Sequence, residues 1–225
     1  MKGLAIDCAV SRLTIAAKND DYKFISVYDI GMKQSETIVP AIDFAISKAG
    51  LNKTDLEYLV ITAGPGSFTG LRLAISALKA IEMAFNIPLY GISSLDAYSY
   101  AYKNFSIPVL SAIDANKNKY YAAIYENQEK VLEDNDYDIS FIKENIKTYE
   151  ELLICGPDAN KLKEIIIEDN KNIKISTLVF EPNAVESLFE IAEYKILNKE
   201  SPLKDFDGPI YLRASEAEIK LQENQ

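Results

Sequence analysis

Apolar and polar residues alternate through the first thirty positions. GLAIDCAV, SRLTIAAK and YKFISVYDI each turn one side of an extended chain apolar, which predicts three short strands joined by tight turns. The period then lengthens. In SETIVPAIDFAISKAGL, residues Ile38, Ile42, Ala45, Ile46 and Ala49 recur three and four apart, the spacing of one helical face. Ser35 is the expected N-cap and Gly50 the expected stop. LEYLVITAG reads as a buried strand and leads into GPGSFTGLR at 64–72. A second helix follows in LRLAISALKAIEMAFN, with Leu71, Ala74, Ile75, Leu78, Ile81 and Phe85 in one stripe. IPLYGIS predicts a strand and SLDAYSYAYKN a short helix.

The second half repeats this order. AIDCAVSRLTIAA at 5–17 lies over AIDANKNKYYAAI at 112–124 without gaps, and ITAGP at 61–65 echoes ICGP at 154–157. Each half runs hairpin, helix, strand, Gly-Pro turn, helix. A duplicated α/β architecture is favoured, with an N-terminal lobe at 1–105 and a C-terminal lobe at 106–225. In the second lobe EKVLEDNDYDISFIKENI reads as an acidic strand and loop. DANKLKEIIIEDN and PNAVESLFEIAEYKIL read as helices, the latter with Pro182 just before it. PIYLR at 209–213 reads as a last strand, and SEAEIKLQENQ as a polar tail.

Composition narrows the chemistry. The chain has 225 residues and no histidine. Ser-His-Asp and Cys-His catalytic sets are therefore excluded, as are the usual nitrogen ligands of zinc and non-haem iron. Cys8 and Cys155 lie in apolar surroundings without motif spacing, which suits buried free thiols in a reducing cytoplasm. No apolar run approaches the roughly 20 residues that cross a bilayer, and Asp7 interrupts the only N-terminal stretch resembling a signal peptide. A cytoplasmic protein without membrane contact is expected. The net charge is −10, and all of the excess lies in the second half: residues 1–105 carry ten basic and ten acidic side chains, 106–225 fourteen and twenty-four. Such a half repels a bare polyanion, so contact with RNA is expected only through a partner.

Three features carry candidate chemistry. The loop GPGSFTGLR is neither a P-loop, since Leu71-Arg72 follows Gly70, nor a dinucleotide fingerprint. Amides at a helix N-terminus can hold an anion, and Gly66, Ser67, Thr69 and Arg72 would contribute. The competing reading is a tight strand-to-helix turn capped by Ser67 or Thr69. Asp7 and Asp114 each end a strand before a polar turn and could together hold a Mg²⁺-nucleotide. The turns CAVSR and ANKNK lack the glycines that let backbone approach phosphate, so a turn-capping role is at least as well supported. Finally, Ala77, Ala80 and Ala84 beside the second helix's stripe permit close packing against a partner. Tyr98, Tyr100, Tyr102 and Phe105 lack interleaved basic residues and read as core or interface rather than a base-stacking platform.

GPGSFTGLR, with YLVITA before it and LRLAISALKAIEM after it, resembles the central motif of the TsaB (YeaZ-like) family of tRNA threonylcarbamoyladenosine biosynthesis proteins. The likeness extends to MKGLAIDCAVSRLTIAAK, GISSLDAYSYA, LSAIDANKNKYYAAIY and PIYLRASEAE, and is loose over 126–208. The resemblance implies a duplicated actin-like, Hsp70-like (ASKHA, ribonuclease H-like) fold. It implies a non-catalytic sibling of a TsaD-type transferase subunit that binds metal through two histidines on a helix. Gln34 stands in that region here, and no histidine replaces it. The implied partners are the TsaD-type subunit, a TsaE-type ATPase and a second copy of the chain, with tRNA reached only through the complex. No intrinsic cofactor is implied; ATP or ADP would sit at a shared interface. The implied contact lies in the N-terminal half, for which Ile42, Ala45, Ile46, Arg72, Ala77, Ala80 and Ala84 are the candidates. The alternative within the same superfamily is an independent small-molecule kinase or nucleotide hydrolase using Asp7, Asp114 and the glycine loop.

Overall fold

The computed structural model describes residues 1–178 and 183–213 and divides into two compact units. The first contains residues 1–100 together with the last helix and the chain to 209. Its sheet begins with β1 (Lys2–Asp7), antiparallel to β2 (Leu13–Asn19), which pairs with β3 (Tyr22–Tyr28). On the other side β1 runs parallel to β4 (Tyr58–Gly64), which runs parallel to β5 (Leu89–Ser93). The order is β3-β2-β1-β4-β5.

The alternation of the strands assigns their two faces. Leu4, Ile6, Ile15, Leu59 and Ile61 pack with α1 (Gln34–Lys48) and α2 (Phe68–Phe85). Ala5, Ala16, Tyr58 and Val60 face the other way, toward α3 (Ser94–Ser99) and α6 (Ala184–Leu197). Because helices cover both faces, β4 is buried along its whole length, as its unbroken apolar run requires. An ionic anchor holds α6 in place: the Glu193 carboxylate pairs with Lys18 and accepts from the Tyr58 hydroxyl at 2.8 Å.

The second unit contains residues 101–178 and 210–213 among those described. It comprises β6 (Val109–Asp114), β7 (Lys119–Glu126), β8 (Glu129–Asp138), α4 (Ile139–Asn145), β9 (Glu151–Cys155), α5 (Ala159–Ile167) and β10 (Lys174–Ser176). The order β10-β9-β6-β7-β8 reproduces the first sheet strand for strand, with β6 antiparallel to β7 and parallel to β9. The duplication read from the sequence is therefore structural. The echo at 5–17 and 112–124 spans β1–β2 and β6–β7, and Gly64, the last residue of β4, and Gly156, directly after the equivalent β9, have φ of 117° and 98°.

Several expectations are corrected. The boundary at 105/106 does not hold: Tyr102 packs with Val109, Leu153 and Cys155 of the second unit, while α6 returns to the first. Val185, Leu188, Phe189 and Ala192 fill a face of the first sheet that α3 is too short to cover. Ser35 is not the N-cap of α1; that place is taken by Lys33, the last residue of a 3₁₀ turn at Gly31–Lys33. ISFIKEN forms α4 rather than a loop, with Ile142 and Ile146 inserted into the core. Residues 209–213 form no strand, and Ile210 and Tyr211 remain partly exposed. Pro182 and the tail from 214 onward lie outside the described residues. Both cysteines are buried and neither is in a disulfide.

Candidate docking face and the glycine loop

The glycine loop is closed against the β1–β2 turn. A Cβ on Gly66 would lie 2.3 Å from the Ala9 carbonyl oxygen, and one on Gly70 would lie 2.4 Å from that of Cys8. The Ser67 amide donates to the Ala9 carbonyl at 2.6 Å. Ser67 is the N-cap of α2, its Oγ accepting from the Gly70 amide at 3.3 Å. The glycines thus serve close backbone packing, and two of the amides that could cradle an anion are already spent. Thr69 is exposed and makes no cap, and Arg72 stacks over the Phe68 ring at 3.8 Å.

Asp7 and Asp114 belong to different units, and each is satisfied within its own. Asp7 is 5% exposed. Its Oδ1 accepts from the Ala9 amide at 3.1 Å and from Thr62 Oγ1 at 3.0 Å, and its Oδ2 accepts from the Tyr98 hydroxyl at 3.0 Å. Burial pushes its carboxyl above the ordinary range; these three hydrogen bonds and Arg12 act against that rise. Asp114 accepts from the Asn116 amide at 2.7 Å and pairs with Lys161, while its own amide donates to Asp158 at 2.8 Å. Both residues therefore cap the turn that follows them. Tyr98 serves this network, and Tyr102, itself buried, packs edge-on against the half-exposed Phe105. Among the described residues no three His, Cys, Asp or Glu side chains are grouped to hold a metal ion.

The interface candidates divide by helix. Ile42, Ala45 and Ile46 point into the first unit's core and are buried; as partner contacts they are corrected. The apolar stripe that marks them in the sequence is the side that α1 gives to its own sheet. Ala77 packs partly against the same core, whereas Arg72, Ala80 and Ala84 are exposed. The outward apolar residues of α1 are ones the stripe does not mark: Val39 is 64% exposed and Phe44 47%. On α2, Met83 is 84% exposed and shares its face with Ser76, Ala80 and Ala84. The two helices are in contact. Their outer sides thus present Val39, Phe44, Ala80, Met83 and Ala84; no charge lies among the exposed α2 residues after Arg72, whereas α1 also exposes Glu36, Asp43 and Lys48, and its Phe44 packs edge-on against Phe24 at 5.6 Å. The signal available in the sequence was Val39 and Phe44 standing off the stripe.

Behind this face lies Gln34, a polar residue only 7% exposed in the first turn of α1. Its Nε2 donates to the Val10 and Ser11 carbonyls at 3.1 and 2.7 Å, and its Oε1 accepts from the Cys8 thiol at 3.4 Å. Burial, with the Asp7 charge nearby, pushes that thiol up to about 12, so it stays protonated and able to donate.

Two matching five-stranded sheets, with turn-capping aspartates at equivalent strand ends, define an α/β protein of the duplicated actin-like class. A family model described as TsaD, tRNA N6-adenosine threonylcarbamoyltransferase, matches residues 31–221. The tRNA threonylcarbamoyladenosine biosynthesis protein TsaB of Bacillus subtilis (strain 168) is 28% identical over 99% of this chain and 98% of its own length. The TsaB protein of Escherichia coli (strain K12) is 26% identical over 98% of each chain. YeaZ from Pseudomonas aeruginosa shares the fold, with a TM-score of 0.73 at 19% identity over 94% of this chain and 99% of that one. The chain belongs to the TsaD family, and within it to the TsaB (YeaZ-like) proteins. No described helix is long and apolar enough to cross a membrane.

Proposed function

We propose that this chain is a non-catalytic subunit of the machinery that forms threonylcarbamoyladenosine in tRNA, and that it docks a TsaD-type transferase subunit on the outer faces of α1 and α2. The observation that carries the reading is the exposed apolar face itself. Val39, Phe44, Ala80, Met83 and Ala84 are turned to solvent while the inner faces of the same helices are consumed by the core. An uncharged, small-residue surface on α2, beside the exposed Val39 and Phe44 of α1, is suited to burial against a partner. The absence of histidine from the sequence, and the engagement of Asp7, Asp114 and the glycine loop in turn and packing contacts, favour docking over chemistry.

In this reading a second copy of the chain uses the same face when the transferase subunit is missing, and a TsaE-type ATPase acts on the assembled pair. ATP or ADP binds only where the subunits meet. The acidic second half keeps bare RNA away, so tRNA is reached through the partner. The test is to mix the purified chain with its transferase-type partner and follow mass by size exclusion with light scattering. A one-to-one complex at micromolar concentrations is expected, and two independently eluting species would remove the reading. ATP turnover by this chain alone, lost in Asp7→Asn, would instead establish the kinase or hydrolase alternative.

A further inference from the structure

We infer that Gln34 is the positioning residue of the docking face: it fixes the start of α1 to the start of α2 through the β1–β2 turn, and so sets how the two outer surfaces meet a partner. This deepens the docking reading and rests on it.

The first turns of the two helices converge on one stretch of backbone, residues 8–11. From α1, the Gln34 carboxamide holds the Val10 and Ser11 carbonyls and the Cys8 thiol. From α2, the Ser67 amide holds the Ala9 carbonyl. Gly70, in the first turn of α2, closes the arrangement: a Cβ there would lie 3.2 Å from Gln34 Oε1 and 3.2 Å from Cys8 Sγ. The carboxamide is therefore gripped between the two helices and the turn, with both amide hydrogens and an oxygen lone pair used.

The rest of the inner face of α1 is Ile38, Ala41, Ile42, Ala45 and Ile46. Apolar packing is non-directional, so it lets a helix rotate or slide by small amounts at little cost. Three directed hydrogen bonds from a buried side chain do not allow this, because breaking them leaves buried polar groups unsatisfied. A side chain at the very start of α1 thus fixes the azimuth at which Val39 and Phe44, further along the helix, stand relative to Ala80 and Met83 on α2.

The experiment compares three variants of the full chain. Gln34→Met keeps the length of the side chain and removes both donors. Gln34→Asn keeps the carboxamide and shortens its reach, and serves if the methionine variant does not fold. Tyr58→Phe removes a hydrogen bond to Glu193 on the opposite face of the same sheet and controls for general loss of stability. Affinity for the transferase-type partner is read by calorimetry and thermal stability by unfolding. The expected result is that either Gln34 variant weakens the complex about tenfold or more, while Tyr58→Phe, matched in melting temperature, stays within about twofold of wild type. Folded Gln34 variants that bind within about twofold of wild type overturn the positioning role and leave the docking reading standing. Failure of the wild-type chain to bind overturns both.

Discussion

The hydroxyl of Tyr98 donates to the carboxylate of Asp7 at 3.0 Å, joining the last turn of α3 to the end of β1 in the interior of the first unit. With Thr62 and the Ala9 amide, it surrounds a buried acid whose ionisation burial opposes. Its folded-state pKa is raised above the unfolded value near 3.8. The folded protein therefore holds this proton to higher pH than the unfolded chain does. Asp7 imposes no cost below the unfolded value and a growing cost as pH rises through the folded one. Asp7→Asn lacks that titration. The stability of wild type relative to Asp7→Asn should fall as pH rises from about 4 towards neutrality, measured by urea unfolding at several pH values. A constant difference across the range would refute the assignment.

The anchor of α6 is a second quantitative test. Glu193→Gln leaves the Lys18 ammonium, only 17% exposed, without its partner charge. The expected loss is about 2–3 kcal/mol, below the full figure for a deeply buried pair because both side chains retain some solvent contact. Tyr58→Phe removes one hydrogen bond and should cost about 1 kcal/mol. Equal losses for the two would mean that the charge pairing contributes nothing beyond the hydrogen bond.

Glycine substitutions separate close packing from conformation. Gly66→Ala must push its new methyl group away from the Ala9 carbonyl, backbone against backbone, and should cost well over about 2 kcal/mol or prevent folding. Gly31→Ala meets nothing within 4 Å and bears only its left-handed φ of 56°, so about 1 kcal/mol is expected. Chemical denaturation ranks the two. If Gly66→Ala were the milder, the glycine loop would not be packed on the β1–β2 turn.

Much of this architecture is legible in the sequence because its signals are local. Alternation marks β1 to β3, the three-four spacing marks the inner faces of α1 and α2, and Ser67 marks the start of α2. The duplication shows through Ala5–Asp7 and Ala112–Asp114, whose aspartates cap equivalent turns. What escapes is set at long range. The return of α6 to the first unit depends on an uncovered sheet face more than a hundred residues earlier in the chain. α4 is too short, with two core isoleucines, to show a period. The residues of the proposed docking face escape for a different reason. An apolar stripe identifies the side of a helix that needs burial but not what buries it, and in α1 the protein's own sheet takes Ile42, Ala45 and Ile46. The surface left for a partner is the weaker signal of Val39, Phe44 and Met83.

The most direct measurement is the affinity of Ala80→Arg for the transferase-type partner, determined by calorimetry beside wild type, with circular dichroism confirming the fold. Ala80 is exposed on α2 one turn from Met83, so arginine is accommodated in the free chain but carries an unpaired charge into the contact. The account predicts an unchanged spectrum and binding weakened by about a hundredfold or more, the usual consequence of burying a charge without a partner. A wild-type dissociation constant for Ala80→Arg would place the contact elsewhere on the molecule.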